Sequence, residues 1–172
     1  KIGHVWDAVI SARTLQNQGC PYCANKRVLS GFNDLQTLYP AFAKEAHGWD
    51  PKKILSGSNK KLTWKCKLGH IWKVSPNSRV YYNSKCPICA NKQVLSGFND
   101  LKTKYPAVSQ EAYGWDPSSV LASSHAKKPW KCSKGHMWSA KIQNRTLQGQ
   151  NCPICANRQV LSGFNDLNTK YP

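Results

Sequence analysis

The chain is 172 residues long and carries 25 Lys+Arg against 8 Asp+Glu, a formal +17. A surplus that large repels itself in the compact state, so it points outward to a polyanion, of which DNA and RNA are the commonest. No apolar run approaches the ~18 residues that a membrane span needs, no basic-then-apolar signal segment opens the chain, and the short, scattered apolar stretches suit small stapled units better than one large core.

Elements recur along the chain, and the recurrence sets the architecture. His4 and Trp6 come first, then Cys20-Pro21-Tyr22-Cys23, then Val28 to Leu35. Each returns after 66 residues and again after another 66: His70 and His136, Trp72 and Trp138, Cys86-Pro87-Ile88-Cys89 and Cys152-Pro153-Ile154-Cys155, Val94 and Val160. The register never slips. This frame predicts three repeats, 1–55, 56–121 and 122–172. The counterpart of Cys66 and Cys132 would precede Lys1, and Tyr171-Pro172 matches Tyr39-Pro40 and Tyr105-Pro106. The first and last repeats therefore read as truncated, and the chain as a piece of a longer array or of a longer protein.

The middle repeat shows the elements of one unit in order. Leu62 to Cys66 and Gly69 to Val74 place aromatic and β-branched residues on both sides of a short polar turn, predicting a β-hairpin whose turn is a metal knuckle. Cys86-Pro87-Ile88-Cys89 predicts a second tight turn. Asn99 is the expected N-cap of a short helix with Asp100 at its positive end, and that helix should stop near Tyr105-Pro106. Pro106 opens a second helix through Ala107, Val108, Glu111 and Ala112, which Gly114 and Asp116-Pro117 stop. The next hairpin is expected from about Leu121. The fold class is small α+β, zinc-stabilised, in tandem units with β-hairpin knuckles and short helices. All 7 tryptophans fall in three repeat slots, 6/72/138, 49/115 and 64/130. Aromatic rings can stack on bases, but a unit this small uses its largest apolar side chains for its core first.

Six of the 8 cysteines lie in Cys-Pro-x-Cys pairs, too close in sequence to bond each other and well placed to share a metal ion. Thiols used in this way imply a reducing, intracellular compartment, cytoplasmic or nuclear. Cys66, His70, Cys86 and Cys89 form one complete set, and Cys132, His136, Cys152 and Cys155 another. His4, Cys20 and Cys23 form a third that lacks one ligand. Three cysteines and one histidine make a standard structural zinc site, and four protein ligands leave no position for substrate. An iron–sulfur cluster or free thiols are the alternatives. Each closed site carries one net negative charge, three thiolates against Zn²⁺, so two sites lower +17 by 2, to +15. His47 and His125 do not recur and read as ordinary surface residues.

Repeat slots that stay constant should serve the fold or sequence-independent contacts. Arg13, Arg79 and Arg145 share one slot, and Lys26, Lys92 and Arg158 another; Lys60-Lys61 and Lys127-Lys128 precede the hairpins. These are expected on phosphate, although an arginine can equally cap carbonyls or stack on a tryptophan. The stretches 7–11, 73–77 and 139–143 vary in polar residues, as do 14–19, 80–85 and 146–151. Lys73, Asn77, Lys141 and Gln143 are the candidates there for reading base edges, and a drifting solvated loop is the alternative.

The string Trp64-Lys65-Cys66-Lys67-Leu68-Gly69-His70-Ile71-Trp72, followed by Arg79, Cys86, Cys89, Asn99, Leu101, Tyr105-Pro106 and Trp115-Asp116, resembles the zinc-ribbon or treble-clef repeat family of bacterial and viral proteins, some linked to very-short-patch-repair-type endonucleases. The resemblance covers essentially the whole chain. It implies zinc ligation at the cysteines and histidines above and, less directly, nucleic-acid binding. The late helix start after the second cysteine pair favours the ribbon form. The expected function is a non-enzymatic module that binds nucleic acid, duplex DNA first. The alternatives are an RNA-binding or protein-interaction scaffold, or the targeting part of a larger nuclease whose catalytic domain lies outside this chain. Most of the acidic residues are singletons in repeat slots, with no pair spaced for two-metal chemistry.

Overall fold

Two short hairpins organise the protein, each laid against a pair of one-turn helices that precede it in the chain. The structure is a computed structural model that describes residues 2–171. It divides into two compact units, with the boundary between Pro87 and Ile88.

The first unit begins with helix α1 (Ile10–Thr14). Helix α2 (Leu35–Leu38) starts where Asp34 accepts the Thr37 N–H at 2.9 Å. It ends at Tyr39, before Pro40 opens α3 (Pro40–Ala43). A 3-10 turn (Pro51–Lys53) capped by Asp50 leads to β1 (Leu62–Lys65) and β2 (Ile71–Val74). These strands pair antiparallel with Trp64 opposite Trp72. Helix α4 (Pro76–Val80) follows at once, with Pro76 in its first turn and the Ser75 side chain accepting the Ser78 N–H.

The second unit repeats the order: α5 (Leu101–Lys104), α6 (Pro106–Ser109), a 3-10 turn (Pro117–Ser119), β3 (Lys127–Lys131), β4 (Met137–Lys141), α7 (Ile142–Thr146) and α8 (Leu167–Lys170). Trp130 lies opposite Trp138.

The hairpin docks on the preceding segment through main-chain bonds. Lys65 N–H donates to the Glu45 carbonyl at 2.8 Å, and His47 N–H to the Thr63 carbonyl at 3.1 Å. The Trp49 indole N–H donates to the same Thr63 carbonyl. Lys131 to Glu111 and Trp115 to Pro129 repeat these bonds in the second unit. Residues 33–55 and 62–84 thus pack together, as do 99–121 and 128–150, so the packing is phased across positions 55 and 121 of the repeat frame. The inward hairpin face supplies the core. Trp64 and Trp130 are both 0% exposed, edge-on to Trp49 and Trp115 with ring centroids 5.1 Å apart. Leu101 and Ile142 complete the second core. The tryptophans in slots 64/130 and 49/115 therefore serve the fold.

Three features differ from the sequence expectation. Asp100, not Asn99, is the N-cap of α5, accepting from Thr103 N–H at 2.9 Å. The second helix stops at Ser109, and β3 starts at Lys127, because Leu121 bridges Asp100 instead of entering the hairpin. Helices α1, α4 and α7 fill the stretch where only variable loops were expected. Five residues are too few to display a helical period, and their N-cap residues, Val9, Ser75 and Lys141, share no capping chemistry.

Candidate metal centres and basic face

Each closed site is built from two turns. The first is the hairpin turn, where Gly69 N–H donates to the Cys66 carbonyl at 2.9 Å and Cys66 N–H to the His70 carbonyl at 3.0 Å. Gly69 takes φ 84°, a left-handed conformation that disfavours a side chain. The second turn is the Cys-Pro-x-Cys segment, followed by an asparagine at φ 50–51° in every repeat: Asn25, Asn91 and Asn157.

A buried asparagine holds the loop that follows. Asn99 is 4% exposed. Its amide donates to the carbonyls of Ile88 and Gln93, each at 3.0 Å, and its Oδ1 accepts the Leu95 N–H at 2.7 Å. Asn33 and Asn165 make the same set in their repeats. The expected N-cap is thus the tie between the second turn and the start of the helix. Burial works to raise the Asp100 pKa, but bonds from the Thr103 hydroxyl, Thr103 N–H and Gly97 N–H outweigh it and hold the carboxyl below its usual range.

Cys66, His70, Cys86 and Cys89 bring four ligand atoms within 4.8 Å of one another, as do Cys132, His136, Cys152 and Cys155; His4, Cys20 and Cys23 bring three. The distances fit a metal of known size. Zinc at ~2.3 Å from sulfur and ~2.05 Å from nitrogen, in a tetrahedron, separates its ligands by about 3.7 Å for S···S and about 3.5 Å for S···N. Cys132 and Cys155 Sγ lie 3.8 Å apart, and His136 Nδ1 stands 3.2 Å from Cys155 and 3.8 Å from Cys152. His70 Nδ1 stands 3.6 Å from Cys66 and 3.8 Å from Cys86, and His4 Nδ1 3.5 and 3.4 Å from Cys20 and Cys23. His4, His70 and His136 all present Nδ1. His4 and His136 pack edge-on against Phe32 and Phe164, at 4.3 Å between ring centroids. Desolvation and then the crowding of Cys152 and Cys132 push the Cys155 thiol up to about 11, so three thiolates coexist here only around a cation. Zinc fits the donor set, and with four protein ligands its contribution is to staple the fold.

The arginine slot is a correction. Arg79 and Arg145 are 5% and 4% exposed, which leaves them out of reach of phosphate. Each forms an ion pair, Arg79 with Glu45 and Arg145 with Glu111. Each also donates to a loop carbonyl, Ser84 or Gln150. The Arg79 guanidinium lies 5.4 and 5.5 Å from the Trp64 and Trp72 rings, and that of Arg145 5.1 Å from both Trp130 and Trp138. Sequence reading missed the acidic partner because 34 residues separate the pair; that both glutamates and both arginines recur in fixed slots was the available signal. Arg13 is exposed over Trp6, with no ion pair to a carboxylate among the described residues.

The other basic candidates lie differently. Lys26, Lys92 and Arg158 are exposed beyond the second turn. Lys60 and Lys61 are exposed ahead of β1, and Lys127 on β3. Lys128 sits on the inward rung that Leu62 holds in the first unit, with Nζ 5.8 Å from the Trp115 ring. Lys73 and Lys141 are exposed on the outer hairpin faces. Asn77 and Gln143 are half-buried on their helices, and the Asn77 amide donates to Asn59 Oδ1 at 2.9 Å. His47 and His125 are exposed. No helix among the described residues is long and apolar enough to cross a membrane.

A family model described as Probable Treble clef zinc finger domain matches residues 41–92 and again 109–158. The ribbon form, favoured by the late helix, gives way: the loop tied down by Asn99 delays the helix without removing it. A search of curated proteins finds no match.

Proposed function

Because the chain belongs to the treble clef zinc finger family, we propose that it binds nucleic acid, duplex DNA foremost, through the lysines outside its zinc-stapled cores. One observation carries the reading: the acidic residues are spent internally. Asp34, Asp50, Asp100, Asp116 and Asp166 cap helices or turns, and Glu45 and Glu111 hold the buried arginines. Of the 8 acidic residues, that leaves Asp7. The basic surplus therefore has almost no neutraliser within the chain, and a polyphosphate backbone supplies one. The outer hairpin faces, with Lys61, Lys65 and Lys73 in one unit and Lys127, Lys131 and Lys141 in the other, are the contact surfaces. Lys26, Lys92 and Arg158 are further exposed cations, and Asn77 and Gln143, on the helices that follow the second strands, are candidates for base edges. The zinc centres are structural and the chain a non-catalytic targeting segment, at home in a reducing, intracellular compartment that keeps thiols available to zinc.

The test is equilibrium binding of the zinc-loaded chain to a 20-base-pair duplex, the matching single strand and a structured RNA at two salt concentrations. The duplex should bind tightest. With about six phosphates neutralised, affinity should fall on the order of 10³-fold between 50 and 200 mM salt. Binding that ignores salt, or no binding to any of the three, would overturn the reading; preference for RNA would reassign the partner.

A further inference from the structure

The two hairpins place their third outer lysine on different rungs. In the first unit it is Lys73, opposite Thr63. The slot two residues on holds Ser75, whose Oγ accepts the Ser78 N–H at 3.2 Å and caps α4. In the second unit Ser139 takes the position opposite Pro129, and the lysine moves on to Lys141, directly opposite Lys127. Lys141 is therefore also the N-cap residue of α7, where its side chain makes no capping bond.

This placement opposes folding three times over. A capping side chain is forgone, a cation stands at the positive end of a short helix, and two like charges face each other across a strand pair. No carboxylate compensates, because the ion pairs among the described residues are those of Arg79 and Arg145. Backbone need does not explain it either: Ile142 and Gln143 N–H already donate to the Ala126 and Ser124 carbonyls at 3.1 and 3.0 Å. What the pair lacks is an anion. Directly opposed residues have Cα atoms about 4.5–5.5 Å apart, and lysine stems are long and flexible, so both ammonium groups reach one phosphate group.

We propose that Lys127 and Lys141 form a two-lysine clamp on a backbone phosphate of the bound nucleic acid, a contact for which the first unit has a serine instead of the second lysine. The inference rests on the nucleic-acid reading above and locates its strongest phosphate contact. Stability and binding should then move in opposite directions. Lys141→Ser in the full zinc-loaded chain should raise the thermal midpoint and weaken duplex binding several-fold while leaving the log–log salt slope nearly unchanged, because Lys127 still neutralises the same phosphate; removing both lysines should reduce the slope by about 0.9. Ser75→Lys should do the reverse in the first unit. Lys102→Ser, an exposed lysine of α5 in the same unit, controls for the loss of one charge. Equal duplex affinity for Lys141→Ser and the wild type, an equal loss in Lys102→Ser, or a lowered midpoint in Lys141→Ser overturns the clamp while leaving nucleic-acid binding in place. A wild-type chain that binds no nucleic acid removes both.

Discussion

Replacing Arg79 separates a fold residue from a phosphate contact. Arg79→Ala deletes the partner of Glu45, leaves the Ser84 carbonyl without its donor and removes a cation from between Trp64 and Trp72. Removing one member of a buried ion pair costs about 3–5 kcal/mol. Glu45 keeps 27% of its side chain exposed, so water recovers part of that. Three ring contacts, Phe42 at 5.0 Å besides the two tryptophans, and a cavity the size of the lost stem add to it, at about 0.5–2 kcal/mol per ring. A net loss of at least about 4 kcal/mol follows, and at about 4–8 °C per kcal/mol for a small domain the first unit's midpoint should fall by at least roughly 16–32 °C. Arg79→Lys keeps the charge but not the planar fork that bonds Glu45 and Ser84 at once, so it should fall between the two. The assay pairs thermal unfolding of the zinc-loaded chain, followed by near-ultraviolet circular dichroism, with the salt slope of duplex binding at a temperature where each variant is folded. An Arg79→Ala chain that melts with the wild type while its salt slope drops by about 0.9 would put Arg79 on phosphate and refute the burial argument.

Purified chain should contain at least two zinc ions, with elemental analysis showing one fewer for Cys86→Ser and hydrogen exchange showing the hairpin of residues 62–74 unprotected, because a structural zinc carries much of a small domain's folding free energy. Iron in place of zinc would refute the donor-set argument. Asn99→Ala should cost on the order of 2–4 kcal/mol in denaturant unfolding, since it strands the Ile88 and Gln93 carbonyls and the Leu95 N–H. An exposed control in ordinary helical backbone, Asn168→Ala on α8, should stay within about 0.5 kcal/mol. The Asp100 carboxyl has a lowered folded pKa, so its stabilisation is fully present above the unfolded value near 3.9 and is lost only as pH falls through the folded value beneath it. The stability gap between wild type and Asp100→Asn should therefore be flat from pH 7 to pH 5; a gap that titrates in that window would contradict the assignment.

The metal centres were legible in the sequence because everything they need is local or strictly spaced. Cys66 and His70 share one turn and Cys86 and Cys89 another, and the 66-residue recurrence of all the pairs marks them as ligands without any knowledge of the fold between. The hairpin was legible for the same reason, from residues 62–74 alone, and so was the stop of the first helix at Pro106. What the sequence could not decide was set by partners far along the chain. Arg79 and an exposed lysine look alike as text. Only docking of the hairpin on residues 33–55 brings Glu45, 34 positions away, against one of them and closes two tryptophans around it. Asn99 and Asp100 are both good caps by type, and the choice fell to the tertiary structure because the Ile88 and Gln93 carbonyls needed a donor that an aspartate lacks. Helices α4 and α7 are one turn long, below the length at which periodicity or propensity can announce a helix. They exist because the chain must pass from the second strand to the second zinc turn while Ile142, or Pro76 in the first unit, is buried against the core.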